Sequence, residues 1–251
     1  FKVSLRQART FPLPPVTLAA ERRQALVQAV LTFAREHKVD MRRAFLCLPR
    51  AEAVFNRVLL PAAARENMAQ ALEYEMDRLV PLARDQVYFD YSFRDLGEDR
   101  LEVLLMCIPR QVVTGYLEAL EEAFVRPRGI VLASTAIADY LAFCRGETEK
   151  PVALLLGAGG AVEFALLAGG RLLASQLLPA RRLGAPGDLS RSLARQLADG
   201  AVNPEDVDLY RWELPNVDLG PRSHALMMGE EMPQEQRIVL AARREQKAAI
   251  T

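Results

Sequence analysis

Cysteine and histidine are scarce in this 251-residue chain, which contains three of the former and two of the latter. Cys47, Cys107 and Cys144 are odd in number and form no CxxC pair, so the sequence predicts neither a disulfide framework nor a zinc site and fits a reducing compartment. His37 and His224 lack the HExxH spacing or any similar metal-binding pattern. We therefore interpret both histidines as structural or solvated residues and expect no bound metal.

An excess of charge of either sign is also missing, because 32 Lys and Arg balance 32 Asp and Glu. This balance gives no global electrostatic reason to bind nucleic acid or a polyanionic substrate. Long apolar runs are absent as well. The longest uncharged stretch, residues 151–162, has 12 residues and includes three glycines, whereas a membrane-spanning helix needs roughly 20 apolar residues. The sequence thus predicts no nucleic-acid partner and no membrane span within the chain.

Two common enzyme motifs, the GxSxG nucleophile elbow and the Walker phosphate loop, are not present. The run Gly157-Ala158-Gly159-Gly160 superficially invites a phosphate-binding interpretation. A phosphate-binding glycine run opens a helix, whose amide groups hold the anion, whereas this run leads into the strand-like stretch 162–167. The pattern therefore favours a tight turn between two strands.

An alternation of helical and strand-like apolar patterns runs along the chain and predicts a mixed α/β (α+β) fold. The helical period predicts helices at 19–37, 62–79, 113–124, 135–144 and from Asp188 onward. Short apolar or alternating runs predict strands at 2–6, 44–48, 54–60, 87–93, 101–108, 129–132, 152–156, 162–167 and 171–178. The strands on either side of Gly97 form a predicted hairpin, and those within 152–178 a β-meander. A polar break at 145–150 is the predicted boundary between a first domain, 1–145, and a second, 151–251.

A group of acidic residues lies in the second half of the predicted helix 62–79. Glu73 and Asp77 share one helix face, whereas Glu75 points away, so only one pair of carboxylates could cooperate in acid–base chemistry. A solvated helix face is the simpler interpretation. A partner-binding surface is a third interpretation, because apolar side chains accompany the charges: Tyr74, Met76, Leu79 and Val80.

The run 72–81, LEYEMDRLVP, and the run 85–91, DQVYFDY, resemble the helix–proline–strand segment of a family of actin-like assembly proteins. This family includes the type IV pilus protein PilM and the cytoplasmic part of the type II secretion protein GspL. The order of the flanking elements is similar over residues 1–212. The resemblance implies an actin-like fold of two domains, reduced relative to actin-like ATPases, with an inserted α/β subdomain at about residues 50–128.

Departures from the family pattern concern the nucleotide site. Actin-like ATPases hold Mg-nucleotide between two phosphate loops, of which the first would precede Phe1. At the second, Leu155 or Leu156 stands where the ATPases and PilM have Asp, and glycines replace the threonines; no GGG-type adenosine motif is present. The resemblance therefore implies no ATP hydrolysis and no cofactor, and it favours the GspL-like branch. The degenerate remnant of the phosphate loop would be Gly157, Gly159 and Gly160.

The last residues of the chain, 237–251, contain four basic side chains against one acidic side chain. Basic residues gather on the cytoplasmic side of transmembrane helices, although an ordinary basic helix end has the same composition. Because the chain opens at Phe1 without a signal region, we interpret it as a piece of a longer protein. The resemblance then implies a location on the cytoplasmic face of the bacterial inner membrane, with a transmembrane tether outside this chain.

The function implied by the resemblance is that of a non-catalytic scaffold in a type II secretion inner-membrane platform. Such a scaffold would recruit the N-terminal region of a GspE-like secretion ATPase and link it to GspM- and GspF-like membrane proteins, with a homodimer as a further option. Two alternatives remain open: a PilM-like protein that binds the cytoplasmic tail of a membrane partner, and an actin-like ATPase whose first phosphate loop precedes this chain. The expected contact surface comprises Glu73, Tyr74, Met76, Asp77, Leu79, Val80, Pro81 and Tyr88.

Overall fold

The computed structural model describes residues 9, 11, 13–14, 19–41, 44–145, 150–158, 161–179, 188–199, 202–203, 206–212 and 223–225. Within them, the helices are α1 (Ala19–His37), α2 (Met68–Leu79), α3 (Arg110–Glu122), α4 (Ala133–Arg145) and α5 (Asp188–Asp199). The strands are β1 (Leu46–Leu48), β2 (Val54–Pro61), β3 (Val87–Gly97), β4 (Arg100–Pro109), β5 (Ile130–Leu132), β6 (Val152–Ala158), β7 (Ala161–Ala168), β8 (Arg171–Pro179), β9 (Asp208–Trp212) and β10 (Ser223–Ala225). Short 3-10 helices lie at Arg50–Glu52, Ala62–Asn67 and Arg84–Gln86. The mixed α/β fold class is confirmed.

The strands of the described residues form three sheets. In the N-terminal part of the chain, residues 19–145, β1 and β5 form a parallel pair, and β2, β4 and β3 form an antiparallel sheet with β4 in the middle. In the C-terminal part, residues 150–225, the predicted meander β6–β7–β8 is confirmed, and β9 and β10 extend it in parallel. The strand order of this third sheet is β10-β9-β6-β7-β8.

The predicted hairpin joins β3 to β4 through a two-residue turn. Gly97, Glu98 and Asp99 have φ values of 74°, 50° and 56°, and positive φ at both central residues is typical of the turns that match strand twist. The Asp95 carboxylate accepts a hydrogen bond of 2.9 Å from the backbone N–H of Gly97. The turn thus brings β3 and β4 into register from Gly97 and Arg100 back to Val87 and Pro109.

Strand β4 is buried on both faces, which explains its nearly continuous apolar sequence. Alternate side chains of a strand point to opposite faces of its sheet. One face of β4 packs under α2 against Leu72 and Met76, and the other packs against α4 and the C-terminal part of the chain. The strand therefore separates two hydrophobic cores and contributes side chains to both.

The N-terminal and C-terminal parts share the second of these cores. It joins Met106 of β4 and Ile137 of α4 to Leu154 of β6 and Leu167 of β7. The opposite face of the C-terminal sheet is covered by α5 through Leu197, and a smaller cluster packs α1 against α3. One continuous apolar layer thus lies between the two parts of the chain.

Two predicted helices differ from the observed ones. Residues 62–67 form a 3-10 helix, so α2 begins at Met68. Helix α3 ends at Glu122 rather than at Phe124, because Phe124 has a left-handed φ of 58°. The N–H of Phe124 donates to the carbonyl of Glu121 and the N–H of Val125 donates to that of Leu120, the two bonds of a Schellman motif. Phe124 consequently points outward and is 92% exposed.

Some predictions fall outside the described residues. These are the strand at 2–6, the centre of the domain boundary at 146–149, and the basic segment 237–251. They stay predictions.

Candidate functional site

The expected contact residues of α2 divide into exposed and buried side chains. Tyr74 is 76% exposed, and Asp77 and Pro81 are also exposed. Met76 and Val80 were expected to anchor a partner, but they are 0% and 4% exposed and pack in the core beneath the helix. Met76 is buried because it lies one helical turn after Leu72, on the same buried stripe of the helix.

Two of the three acidic residues of α2 form ion pairs with neighbouring arginines. Glu73 forms an ion pair of 3.1 Å with Arg84, which follows the helix, and Glu75 pairs with Arg78 three residues later. The side-chain amide of Asn56 donates a 2.8 Å hydrogen bond to the carbonyl of Leu79 at the helix end. With Glu73 engaged in this way, the arrangement favours a positioned, partly solvated face over a pair of catalytic carboxylates.

Tyr88 does not belong to this face. It pairs with Ile108 across β3 and β4, and its neighbours Val87 and Phe89 pack under α2. Because strand neighbours point to opposite sides, Tyr88 lies on the other face of the sheet, where the Arg110 guanidinium lies 4.1 Å from its ring centroid. The structure therefore leaves a smaller patch, named here the α2 surface: Glu73, Tyr74, Asp77, Leu79 and Pro81.

The first two residues of the glycine run end β6 and pair with the start of β7, so the run stands between two strands, as the sequence predicts. Gly157 pairs with Val162, and Ala158 pairs with Ala161; Gly159 and Gly160 lie outside the described residues. Leu155 and Leu156 are buried, one on each side of the sheet. Because this connection leads from strand to strand, no helix N-terminus stands behind it to hold a phosphate group.

A buried polar cluster that the sequence did not reveal lies near the end of β6. Glu163 of β7 is 2% exposed, and Ser134, the second residue of α4, is 0% exposed. The hydroxyls of Ser134 and Ser175 both donate to Glu163 Oε1, the latter at 2.7 Å. Arg50 is 8% exposed and donates from Nε to Ser175 Oγ at 2.5 Å. We name these four residues the Arg50–Glu163 cluster.

Three further contacts fix the Arg50 guanidinium. It donates to the carbonyl of Ala53 at 2.6 Å and to the carbonyl of Ser175 at 3.0 Å, and it stacks 3.9 Å from the ring centroid of Phe55. Burial lowers the pKa of Arg50, and the charge of Glu163 opposes that change. Planar, multiple hydrogen bonding of this kind is characteristic of arginine and is not reproduced by lysine.

The Glu163 carboxyl is also perturbed. Burial raises its pKa above the ordinary value, and the hydrogen bonds from Ser134 and Ser175 and the charge of Arg50 oppose that rise. A signal for this residue existed in the sequence, because Glu163 is the one charged residue between Pro151 and Gly170. Its partners, however, come from distant parts of the chain.

A second buried carboxylate lies on the sheet β2-β4-β3. Glu102 accepts hydrogen bonds from Arg57 at 2.7 Å and from Arg94 at 2.5 Å. Close by, the hydroxyl of Ser92 donates to the carbonyl of Leu172 at 3.1 Å, which ties β3 to β8. This group supports the packing of the three-stranded sheet on the C-terminal part.

In the described part of the chain, no group of three or more His, Cys, Asp and Glu side chains is placed to hold a metal ion. Among the same residues, no helix has the length and apolar character needed to cross a membrane.

Comparisons with known proteins find similarity in sequence over part of the chain and similarity in fold over most of it. No family model matches the chain. Over 69 residues it is 38% identical to the type II secretion system protein L of Xanthomonas campestris pv. campestris, a match that spans 27% of this chain and 18% of that protein.

Two solved structures are similar over most of the chain. The PilM–PilN type IV pilus biogenesis complex matches with a TM-score of 0.64 and 19% identity, over 80% of this chain and 72% of that one. The cytoplasmic domain of EpsL, an inner membrane component of the type II secretion system of Vibrio cholerae, matches with a TM-score of 0.54 and 15% identity, over 84% and 76%. The chain shares the fold of these two structures. The resemblance given by the sequence is thereby confirmed.

Proposed function

We propose that this chain is the cytoplasmic scaffold domain of a type II secretion inner-membrane platform. The observation that carries the proposal is the 38% identity to protein L over 69 residues, and the fold shared with the cytoplasmic domain of EpsL supports it. In this role the domain binds the N-terminal region of a GspE-like secretion ATPase and links it to GspM- and GspF-like membrane proteins. It lies at the cytoplasmic face of the inner membrane, with its tether outside this chain.

A non-catalytic role is part of the proposal. Leu155 and Leu156 are apolar core residues at the end of β6, where a nucleotide-binding relative would need a carboxylate for the metal. The nearby carboxylate of Glu163 is engaged by protein donors. Both observations support a domain that acts by binding other proteins.

The proposed contact is the α2 surface. Tyr74 combines a large, exposed ring with a hydroxyl group, and such side chains are frequent anchors of protein interfaces. The exposed Asp77 gives the patch negative charge, whereas the charge of Glu73 is balanced by Arg84. The matching surface of the ATPase should therefore present an apolar pocket next to basic side chains.

The proposal includes a division of the chain into two domains. The antiparallel sheet β2-β4-β3, with α2 and α3, falls within the proposed insertion at about residues 50–128, and the five-stranded sheet falls within 151–251. The proposed boundary, 145–150, lies between α4 and β6.

Homodimer formation is a further proposal, to be tested by analytical ultracentrifugation of the chain.

Calorimetric titration of this chain with the N-terminal region of its cognate secretion ATPase tests the proposal. The expected result is saturable binding with a micromolar or lower Kd. The double variant Tyr74→Ala, Asp77→Lys should weaken binding at least tenfold. Phe124→Ala is the matched control, because Phe124 is an exposed aromatic residue outside the α2 surface.

Circular dichroism of each variant separates lost binding from lost folding. If the double variant is folded and binds the ATPase as tightly as the unaltered chain, the α2 surface is not the contact. If the unaltered chain does not bind the ATPase, recruitment itself is wrong, whatever the variants do.

A PilM-like role is the second candidate, favoured by the higher TM-score of the PilM–PilN complex, 0.64 against 0.54. In this role the chain would bind the short cytoplasmic tail of a membrane partner. A parallel titration with that tail distinguishes the two: binding of the tail without binding of the ATPase selects the pilus role. Saturable Mg-ATP binding by a chain extended at its N-terminus would instead select the actin-like ATPase.

A further inference from the structure

The Arg50–Glu163 cluster connects four elements that belong to both parts of the chain. Arg50 follows β1 in the N-terminal part, Ser134 lies in the first turn of α4, and Glu163 and Ser175 lie on β7 and β8 of the C-terminal sheet. Arg50 and Ser175 are 125 residues apart. The cluster is therefore a direct polar bridge between the two parts of the chain.

The hydrogen bonds of the bridge are mutually consistent. A serine hydroxyl has one hydrogen to donate and can accept as well. The hydroxyl of Ser175 accepts from Arg50 Nε at 2.5 Å and donates to Glu163 Oε1 at 2.7 Å, so it uses both capacities at once. Ser134 donates its hydrogen to the same carboxylate oxygen. The guanidinium and the carboxylate are thus joined through a hydroxyl with a fixed direction.

Because the cluster is buried, any departure from this geometry costs free energy. Displacing any member leaves a buried charge or a buried polar atom without a partner, which is costly in a low-dielectric interior. The shared apolar core around Met106 and Leu154 carries no comparable directional requirement, since hydrophobic contacts are not directional. The core therefore joins the two parts, whereas the polar bridge selects one arrangement between them.

We propose that the Arg50–Glu163 cluster is a latch that holds the N-terminal and C-terminal parts of this chain in one fixed relative orientation. The latch gives the domain the behaviour of a single rigid body without a bound ligand between its two parts. This inference does not depend on which partner the domain binds, so it stands or falls separately from the proposed function.

Distances between spin labels on the full chain test the latch. One label replaces the exposed Phe124 in the N-terminal part and the other replaces the exposed Ala198 of α5 in the C-terminal part, in a background with Cys47→Ser and Cys144→Ser. Double electron–electron resonance should give a single narrow distance distribution. With Arg50→Ala, the distribution should broaden at least twofold or acquire a second population.

Two further variants keep the test decisive if Arg50→Ala fails to fold. Ser175→Ala removes only the bridging hydroxyl and should broaden the distribution to a smaller extent. Leu72→Ala, in the separate core beneath α2, destabilises the chain without touching the bridge and should leave the distribution narrow. The latch is refuted if every bridge variant that folds, Ser175→Ala included, keeps the narrow distribution, or if Leu72→Ala broadens it equally.

Discussion

Glu163 lies directly opposite Leu156 on the antiparallel strands β6 and β7, and both side chains are buried. Directly paired residues of such strands have Cβ atoms about 5 Å apart. The leucine at the end of β6 thus has a carboxylate as its neighbour, and that carboxylate is already bound by two serine hydroxyls. A second negative charge at this end of the sheet would therefore be repelled by the Glu163 carboxylate.

The substitution Leu156→Asp tests this relationship. We expect it to lower the free energy of unfolding by about 3 kcal/mol or more, because it places a second carboxylate, without a partner, beside Glu163. Urea denaturation followed by circular dichroism measures the change. The companion variant Leu156→Asn, with the same shape and no charge, should cost less. Equal losses for the two variants would show that charge repulsion has no part in the effect.

Much of the fold could be predicted because local patterns determine it. The alternation along β3 and the glycine at its end predict the hairpin, and the apolar stretches after residue 151 predict the meander. The end of α3 could not be predicted from period alone. Phe124 continues the apolar spacing of the helix, but the backbone bonds of Val125 and Phe124 close the helix before it.

The candidate sites were harder to predict for a different reason. An apolar residue on a helix can anchor a partner or fill the core, and the sequence places Met76 and Tyr74 in the same short run. Only the packing in the structure distinguishes the buried Met76 from the exposed Tyr74. The contacts within the Arg50–Glu163 cluster join residues 12 to 125 positions apart, for which a single sequence has no local pattern. The isolated charge of Glu163 in an apolar strand was the one available signal.

The division of α2 into a buried and an exposed face predicts unequal effects of truncation. Leu72→Ala should lower the free energy of unfolding by about 2–5 kcal/mol, because Leu72 is fully buried and its removal leaves a cavity. Tyr74→Ala should change it by at most about 0.5 kcal/mol. Urea denaturation with unchanged m-values measures both. A Tyr74 variant that loses as much stability as the Leu72 variant would place Tyr74 in the core.

The raised pKa of Glu163 predicts how stability depends on pH. A carboxyl that holds its proton more tightly when folded favours the folded state while it is protonated. Its contribution is fully present below the unfolded value near 4.5 and is lost as the pH rises through the folded pKa. Relative to Glu163→Gln, the unaltered chain should therefore lose stability from about pH 4.5 upward.

Denaturant unfolding of both chains from pH 4 to pH 7.5 measures the difference between their free energies of unfolding. Contributions from the other titrating groups are the same in both chains and cancel in this difference. The groups facing Glu163 are Arg50, Ser134 and Ser175. Parallel stability profiles for the two chains would show that the carboxyl has the same pKa in the folded and unfolded states.

The thiol of Cys107 should be protected from modification until the chain unfolds. Its residue is 1% exposed, and burial raises its pKa to about 11, so only about a thousandth of it is thiolate at pH 8, and the thiolate is the reactive form. A variant with Cys47→Ser and Cys144→Ser leaves Cys107 as the one thiol. An aromatic disulfide reagent should modify it slowly in native buffer and rapidly in urea. The matched variant with Cys107→Ala and Cys144→Ser should react in native buffer, because Cys47 is exposed; equal rates for the two thiols under native conditions would contradict the placement of Cys107 in the core beneath α2.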